Sequence, residues 1–245
     1  MTLLRSLAYA VTFYVVTALF LILGAPLLVA PRSWAMAGLR AHARTCIWLL
    51  RVIAGTRTEV RGRERLPAGP FLVAAKHQSA WDTFALVPLF RDPALVMKAE
   101  LMRIPLYGWF SRKFGMIPVR RETGPSALRE MIRHARDRAS AGREILVFPE
   151  GTRRAPGAPP DYKPGILLLY DGLHLPCVPL ALNSGLYWPR RSLIRRPGTI
   201  IVEILEPIPA GLPRAAFKAT MIERIETASE ALRREGEVEL TQSRT

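Results

Sequence analysis

The sequence lacks the cysteines and the motifs on which several classes of protein depend. Cys46 and Cys177 are its only cysteines and lie far apart in the chain, so we expect neither a disulfide framework nor a cysteine-based zinc site. The GxSxG, GxGxxG and HExxH motifs are absent, and so is a Walker-type Gly-Lys-Ser/Thr loop. These absences argue against α/β-hydrolases, dinucleotide-binding enzymes, zinc proteases and P-loop enzymes. No metal-ligand spacing relates the four histidines, which are His42, His77, His134 and His174.

Acidic side chains are also scarce. The 245 residues include 20 Asp and Glu against 35 Lys and Arg, a net charge of +15, while 49% of the residues are hydrophobic. The composition is that of a globular protein, and the positive charge indicates a nucleic acid, an acidic membrane surface or a phosphorylated substrate as partner. The charge is scattered and no DNA- or RNA-binding motif is present. We therefore expect no nucleic-acid partner.

Near the N-terminus the charges disappear altogether. Residues 6–31 are free of charge and are bracketed by Arg5 and Arg32. As a helix this run would be about 39 Å long, against about 30 Å for the hydrocarbon core of a bilayer. A cleaved signal peptide is the alternative, because residues 35–37 read Ala-Met-Ala, but its apolar region is typically only about 7–15 residues long. The sequence predicts a retained membrane anchor.

The form of this anchor is less determined by the sequence. Gly24 and Pro26 would kink a helix, so a re-entrant or interfacial hairpin is nearly as plausible as a single span. Residues 34–55 favour the hairpin, because they form a basic, Trp-bearing amphipathic pattern typical of the headgroup level. A core helix with a solvated basic face is the alternative. The pattern places three arginines on one helical face, namely Arg40, Arg44 and Arg51.

Beyond residue 56, short β-rich runs alternate with helical stretches. The apolar stripes of residues 127–139 and 217–232 predict helices, and the β-rich runs are mostly continuous, as in strands that are covered on both faces. We expect an α/β fold with a central, mostly parallel sheet flanked by helices, in residues 56–245, after membrane-anchoring helices in residues 1–55. The predicted strands are Phe71–Ala75, Ala94–Lys98, Glu144–Phe148, Leu175–Leu182 and Thr199–Leu205.

The first of three polar segments, residues 76–82, follows a predicted strand and reads KHQSAWD. Asp82 would accept a hydrogen bond from Nδ1–H of His77, which leaves Nε2 free to take a proton from a substrate. The alternative is purely structural. Ser79 and Asp82 equally suit a capping box that opens a helix over residues 83–89, with Asp82 serving the backbone.

The second segment, residues 148–154, reads FPEGTRR and follows another predicted strand. Gly151 permits a tight turn with exposed N–H groups, Thr152 adds a hydroxyl, and Arg153 adds a planar cation that can grip a phosphate. A polar turn with solvated arginines is the alternative. The proline-rich loop over residues 153–164 follows directly.

The third segment, residues 98–121, combines cations with apolar residues. It begins with Lys98 at a strand end, continues through a proline-interrupted apolar stretch, and ends with Arg120 and Arg121 after a short β-like run. Apolar residues beside cations suit an amphiphile with a charged head. A short core helix flanked by surface charge would look the same.

Taken in order, these segments resemble the lysophospholipid and glycerolipid acyltransferase family. His77 to Asp82 matches the family's first block, N-H-x-x-x-x-D, and Phe148 to Arg153 matches its third, F-P-E-G-T-R-S. The second block matches residues 98–105 and 115–121, and the fourth matches residues 178–180, so the likeness covers about residues 60–210. Lys76 stands where the family usually has Asn and Arg154 where it has Ser, and both add positive charge beside the predicted site.

The resemblance implies direct transfer of a fatty acyl group from acyl-CoA or acyl carrier protein, without a metal or an organic cofactor. His77, aided by Asp82, would deprotonate the free hydroxyl of 1-acyl-sn-glycerol-3-phosphate to give phosphatidate. Another lysolipid, such as lyso-ornithine lipid, is the alternative acceptor. The arginines that follow the apolar run favour the cytoplasmic side for the rest of the chain, so we expect the catalytic domain on the cytoplasmic side of a bacterial inner membrane. It implies a phosphate site formed by Lys98, Arg120, Glu150, Gly151, Thr152 and Arg153, in which we expect Glu150 to orient Arg153 or the loop.

Overall fold

The computed structural model describes residues 2–120 and 124–242, so that Arg121 of the third segment lies outside the described residues. The described helices are α1 Thr2–Leu23, α2 Arg32–Leu49, α3 Asp82–Ala85, α4 Tyr107–Lys113, α5 Gly124–Ser140, α6 Gly165–Leu173, α7 Ser184–Tyr187 and α8 Arg214–Gln242. The described strands are β1 Thr56–Arg61, β2 Leu72–Ala75, β3 Ala94–Lys98, β4 Ile117–Val119, β5 Ile145–Val147, β6 Cys177–Leu182 and β7 Gly198–Ile204.

The strands form one seven-stranded sheet in the order β1-β7-β6-β2-β5-β3-β4. Among the described strands β6 and β7 alone pair antiparallel, and the other neighbours pair parallel. The residues of β2, β5 and β6 are buried throughout, because helices cover both faces of the sheet. The predicted α/β fold with a mostly parallel sheet is confirmed.

The sequence pattern did not predict strand β1, nor the helices α6 and α7. Strand β1 reads TRTEVR, and it lies at the edge of the sheet with β7 as its neighbour. An edge strand with polar residues on its exposed face carries neither a continuous apolar run nor a clear alternation. Its register is nevertheless regular, from Thr56 opposite Gly198 to Arg61 opposite Glu203.

The N-terminal segment folds back as the predicted hairpin of α1 and α2. Helix α1 is docked on the protein along one side, where the Tyr9 ring meets the Trp188 ring edge-on at 5.4 Å. Phe13 packs against Trp188 and Phe84, at centroid distances of 5.8 and 5.5 Å. The other side of α1 is exposed and apolar, and the helix is long and apolar enough to cross a membrane. This exposed apolar surface indicates association with a membrane.

A buried arginine joins the two loops that lead into β3 and β4. Arg143 is 3% exposed and donates to the main-chain oxygens of Pro93, Phe114 and Gly115. It also lies 3.3 Å from the Asp92 carboxylate, which in turn pairs with Arg32 at the start of α2. Burial lowers the pKa of Arg143 to about 10, so the group stays charged at neutral pH. The network therefore ties the hairpin to the turn at Gly115.

The topology brings the predicted site residues to one edge of the sheet. Strands β6, β2, β5 and β3 are neighbours that pair parallel, and only one residue separates β2 from His77. Strands β5 and β3 end directly before Phe148 and Ala99. The carboxyl ends of parallel strands lie at the same edge, where open α/β sheets bind their ligands. The first and second polar segments thereby become neighbours in space.

Candidate active site

His77 and Asp82 form the predicted pair. Nδ1 of His77 lies 2.9 Å from Oδ2 of Asp82, and the Asp82 side chain is fully buried. The carboxylate accepts at that oxygen, so Nδ1 carries the hydrogen and Nε2 presents a lone pair. In the described part of the chain, Nε2 makes no hydrogen bond, and the His77 side chain is 12% exposed. This imidazole has the arrangement of a general base.

Asp82 also accepts hydrogen bonds from the backbone, as the capping-box alternative predicts. Its Oδ2 accepts from the main-chain N–H groups of Gln78 and Ser79, both at 2.8 Å. Its Oδ1 accepts from the hydroxyl of Ser184, at 2.6 Å, which comes from α7 beyond β6. The same carboxylate thus holds the loop after β2 and orients His77, so the two interpretations of this segment do not exclude each other.

The ring and the main chain of His77 both contact the FPEGTRR turn. The imidazole stacks on the Phe148 ring, with centroids 4.1 Å apart and planes at 20°. Its main-chain N–H donates to Oε2 of Glu150 at 3.0 Å, and its carbonyl accepts from the N–H of Arg154 at 2.8 Å. The turn therefore binds both the main-chain N–H and the main-chain carbonyl of His77.

The turn itself depends on Gly151. This residue has φ of 66°, in the left-handed region, and its N–H donates to the carbonyl of Phe148 at 2.9 Å. Glu150 belongs to the predicted phosphate site as the residue expected to orient Arg153 or the loop, and its side chain is fully buried beneath the turn. It accepts from His77 N–H and pairs with Lys76, so its contacts are with the loop after β2.

Lys76 and Arg154 depart from the family pattern, and the structure does not place their positive charges as expected. Lys76 is 3% exposed and lies between two carboxylates, with its Nζ 2.9 Å from Glu150 and 2.7 Å from Glu226. The expectation that it adds positive charge beside the site is wrong, because the ammonium is buried and compensated. Arg154 turns into the proline-rich loop, where it donates to the carbonyl of Pro159.

A large, mostly apolar cavity opens in front of His77. Its volume is about 1270 Å³, and its walls come from α1, α2, α4, α5 and the strand ends. Gly151, Thr152, Lys98 and Arg120 line it together with His77. Arg153 follows Thr152 directly but is not part of the lining, and among the described residues its guanidinium has no hydrogen-bond partner. The cavity thus combines a base, cations and an apolar volume.

Some functional positions were missed from the sequence. Lys163 lines the cavity and belongs to the proline-rich loop, and its main-chain N–H donates to the carbonyl of Pro149. Ser184 and Glu226 reach the site from α7 and α8. Nothing local marks Ser184 or Glu226, because their partners are 102 and 150 positions away in the chain. Of these three residues, Lys163 alone lies in the proline-rich loop over residues 153–164, which directly follows a predicted site segment.

Comparison with known proteins agrees with this geometry. The chain is 38% identical to a 1-acyl-sn-glycerol-3-phosphate acyltransferase of Pseudomonas aeruginosa over 161 residues, which are 66% of this chain and 63% of that relative. It is 35% identical to a lyso-ornithine lipid O-acyltransferase of the same organism over 105 residues, 43% of this chain and 40% of the relative. The chain spans less than two thirds of the length of these curated relatives.

A solved structure and a family match complete the comparison. The crystal structure of the 1-acyl-sn-glycerophosphate (LPA) acyltransferase from Thermotoga maritima has a TM-score of 0.79 with this chain, at 22% identity. The match covers 95% of this chain and 98% of that one, and it shows a common fold. The family described as Acyltransferase matches residues 57–183, which include His77, Asp82 and the FPEGTRR turn. Since that match covers more than half of its length, the chain belongs to the acyltransferase family.

Proposed function

We propose that the protein transfers a fatty acyl group from a thioester to the free hydroxyl of 1-acyl-sn-glycerol-3-phosphate, giving phosphatidate. The observation that carries this proposal is the His77–Asp82 pair, which faces a cavity of about 1270 Å³ that is apolar and carries cations. The named relative from Pseudomonas aeruginosa, a 1-acyl-sn-glycerol-3-phosphate acyltransferase, supports the choice of acceptor. Acyl-CoA or acyl carrier protein is the donor.

The reaction begins with the acceptor hydroxyl beside Nε2 of His77. Nε2 takes the hydroxyl proton while the oxygen attacks the carbonyl carbon of the thioester, and a tetrahedral intermediate forms. The imidazolium is stabilised by Asp82, which is 2.9 Å from Nδ1 and keeps the ring in its orientation. Because Asp82 is itself held by three other donors, the ring is placed before the substrate binds.

The second step expels the thiol. The intermediate collapses, the C–O bond of the new ester remains, and the C–S bond breaks. The sulfur leaves with the proton that His77 had taken, so the imidazole returns to its neutral state and no acyl-enzyme forms. The thioester already carries the activation that the transfer needs, and the chemistry of the step therefore requires no further cofactor.

The lining of the cavity suits both parts of the acceptor. Lys98, Arg120, Thr152 and the main chain of Gly151 provide positive charge and hydrogen-bond donors for a phosphate, and Arg153 extends this set. The apolar walls on α1 and α2 suit the fatty chains. An anionic headgroup with hydrocarbon attached is the ligand that matches both features.

A lyso-ornithine lipid is the competing acceptor, since a named relative acts on it. The experiment that decides supplies purified, full-length protein with acyl-CoA or acyl carrier protein and with either lysophosphatidate or lyso-ornithine lipid. We expect phosphatidate as the main product. Transfer to lyso-ornithine lipid alone would reject the acceptor proposed here while leaving the acyl-transfer chemistry intact.

Arg153→Ala tests the proposed phosphate contact. We expect the apparent KM for lysophosphatidate to rise about 10- to 100-fold, because one charge-assisted hydrogen bond to the phosphate is lost. The dependence on acyl-donor concentration should stay within about twofold. Steady-state kinetics with each substrate varied in turn provide the measurement, and Arg57→Ala, an exposed arginine of the edge strand β1, is the control. A change in donor dependence alone would place the phosphate site elsewhere.

We also propose how the protein sits on its membrane. Residues 1–55 act as the anchor and residues 56–245 as the catalytic domain, which lies on the cytoplasmic side of a bacterial inner membrane. Helix α1 is held against the domain by Tyr9 and Phe13 on Trp188, so it lies along the protein with its exposed side in the lipid. The arginines of α2 support the cytoplasmic side. Labelling of single cysteines in intact and opened cells would test the side.

Two exposed tryptophans on α2 provide a test of this docking. Trp34 and Trp48 are 65% and 59% exposed and are four helical turns apart, so they lie on nearly the same face. Their replacement by Ser together should weaken binding to phosphatidylethanolamine–phosphatidylglycerol vesicles about 10- to 100-fold, since each ring contributes apolar burial. Val238→Ser, an exposed apolar residue of α8, is the control. Unchanged partition in a flotation assay would contradict the proposed face.

A further inference from the structure

Beneath His77 lies a cluster of four ionisable side chains that the reaction does not use. Lys76, at the end of β2, has its Nζ 2.9 Å from Oε1 of Glu150 and 2.7 Å from Oε1 of Glu226. The hydroxyl of Tyr162 donates to the same Glu226 oxygen at 2.6 Å, and Lys76 lies over its ring. Lys76 is 3% exposed and Glu150 is 0% exposed. One cation is therefore shared between a buried carboxylate, Glu150, and a partly exposed one, Glu226, whose side chain is 27% exposed.

The four side chains belong to four different parts of the fold. Lys76 follows β2, Glu150 belongs to the FPEGTRR turn, Tyr162 to the proline-rich loop and Glu226 to α8. Lys76 forms an ion pair with Oε1 of Glu150 and donates a hydrogen bond to Oε1 of Glu226. The cluster is thus where the C-terminal helix meets the catalytic edge of the sheet.

Glu150 connects this cluster to His77. While one of its oxygens faces Lys76, the other accepts the main-chain N–H of His77 at 3.0 Å. We propose that Lys76 and Glu226 are positioning residues that hold the Glu150 carboxylate on the His77 main chain and so couple helix α8 to the base. The proposal rests on the proposed function, because His77 must be the base for its position to affect turnover.

The surroundings of Glu150 act on its pKa in opposite directions. Burial raises the pKa of Glu150, the positive charge of Lys76 lowers that pKa, and Glu226 raises it. Tyr162 and His77 are the other ionisable groups packed against it, and His77 contributes through its main chain. If Lys76 were neutral, Glu150 would take up a proton at a higher pH. A protonated carboxyl is a weaker acceptor, so the His77 peptide would be held less firmly.

The first experiment follows the His77 amide directly and needs no substrate. The amide proton shift is measured by NMR against pH in the labelled, full-length protein in detergent micelles. We expect a midpoint that moves up in Lys76→Met and down in Glu226→Gln. Lys218→Met and Glu223→Gln, two exposed residues of α8, should leave the midpoint where it is. Unmoved midpoints in both cluster variants would overturn the proposal.

The second experiment measures turnover. Lys76→Met should lower kcat about 10- to 100-fold at neutral pH and leave both KM values within about twofold, because it displaces the base and not the substrate contacts. Lys76→Arg keeps a cation between the two carboxylates and should retain most of kcat. If Lys76→Met does not fold, the amide midpoint of Glu226→Gln still decides, because the Glu226 side chain is 27% exposed and its replacement leaves the Lys76–Glu150 pair in place.

The outcomes separate this proposal from the proposed function. An amide midpoint that moves as described, in a protein whose His77→Ala variant keeps full activity, would support the cluster and reject His77 as the base. A dead His77→Ala variant with Lys76→Met unaffected in kcat would support the base and reject the cluster. An equal fall in kcat in Lys76→Met and Lys76→Arg would show that Lys76 acts only through packing, and would also reject it.

Discussion

His77→Ala should reduce kcat for acyl transfer by about 10²- to 10⁴-fold, the range that a positioned general base contributes. The loss arises because the acceptor hydroxyl then has no group to take its proton as it attacks the thioester. Folding should be preserved, since the ring is at the cavity wall and its removal leaves the backbone hydrogen bonds of residue 77 in place. Single-turnover measurements with saturating donor and acceptor give the rate of the chemical step.

The control for this change is His134→Ala, on α5. His134 contacts Glu130 on its own helix and does not line the cavity, so its loss should leave kcat within about twofold. The thermal transition and vesicle binding of both variants should match those of the unaltered protein. Near-normal turnover of His77→Ala would end the assignment of the base.

Asp82→Asn should lower kcat by a similar factor, about 10²- to 10⁴-fold, while the fold survives. The amide oxygen can take over the hydrogen bonds of Oδ2 to His77, Gln78 and Ser79. The amide nitrogen would then face Ser184, whose hydroxyl can rotate and accept. What disappears is the negative charge that stabilises the imidazolium. Rapid-quench kinetics test the loss of turnover. A denaturant titration tests the fold, and it should show a loss of only about 1–2 kcal/mol in the free energy of unfolding.

Asp82→Ala separates the two tasks of this carboxylate. It should destabilise the fold by about 3–6 kcal/mol, because buried donors of Gln78, Ser79 and Ser184 all lose their acceptor. If Asp82→Ala and Asp82→Asn unfolded at the same denaturant concentration, the account of its backbone role would be wrong. If Asp82→Asn kept normal turnover, its electrostatic role would be wrong.

The parts of the molecule that could be predicted are those with a local signal. Strands β2, β5 and β6 appear as uninterrupted apolar runs because both of their faces are covered. Five of the seven described strands were recognised, with shifts of at most two residues at their ends. His77 and Asp82 are five positions apart, and the connection between them is a single loop. A short separation of that kind can be interpreted from the sequence, whereas β1, a polar edge strand, gave no such signal.

The rest of the site depends on contacts between distant segments. Nothing near Lys76 in the sequence shows that its ammonium is buried between Glu150 and Glu226, so a lysine next to the base was interpreted as added charge. The same holds for Arg143, whose partners Pro93 and Gly115 come from other loops. Pairing of buried charges is decided by the tertiary fold, and a single sequence does not record it.

The cavity in front of His77 shares a wall with the N-terminal hairpin, for which we propose contact with lipid. Phe13, Phe20, Leu27 and His42, all from the N-terminal hairpin, face the interior, while the opposite surface of the same hairpin is exposed. For a fatty chain held there, the room available is therefore set by the anchor as much as by the catalytic domain. Selection that adapts the hairpin to a thicker or thinner bilayer would at the same time alter which chain lengths the enzyme accepts.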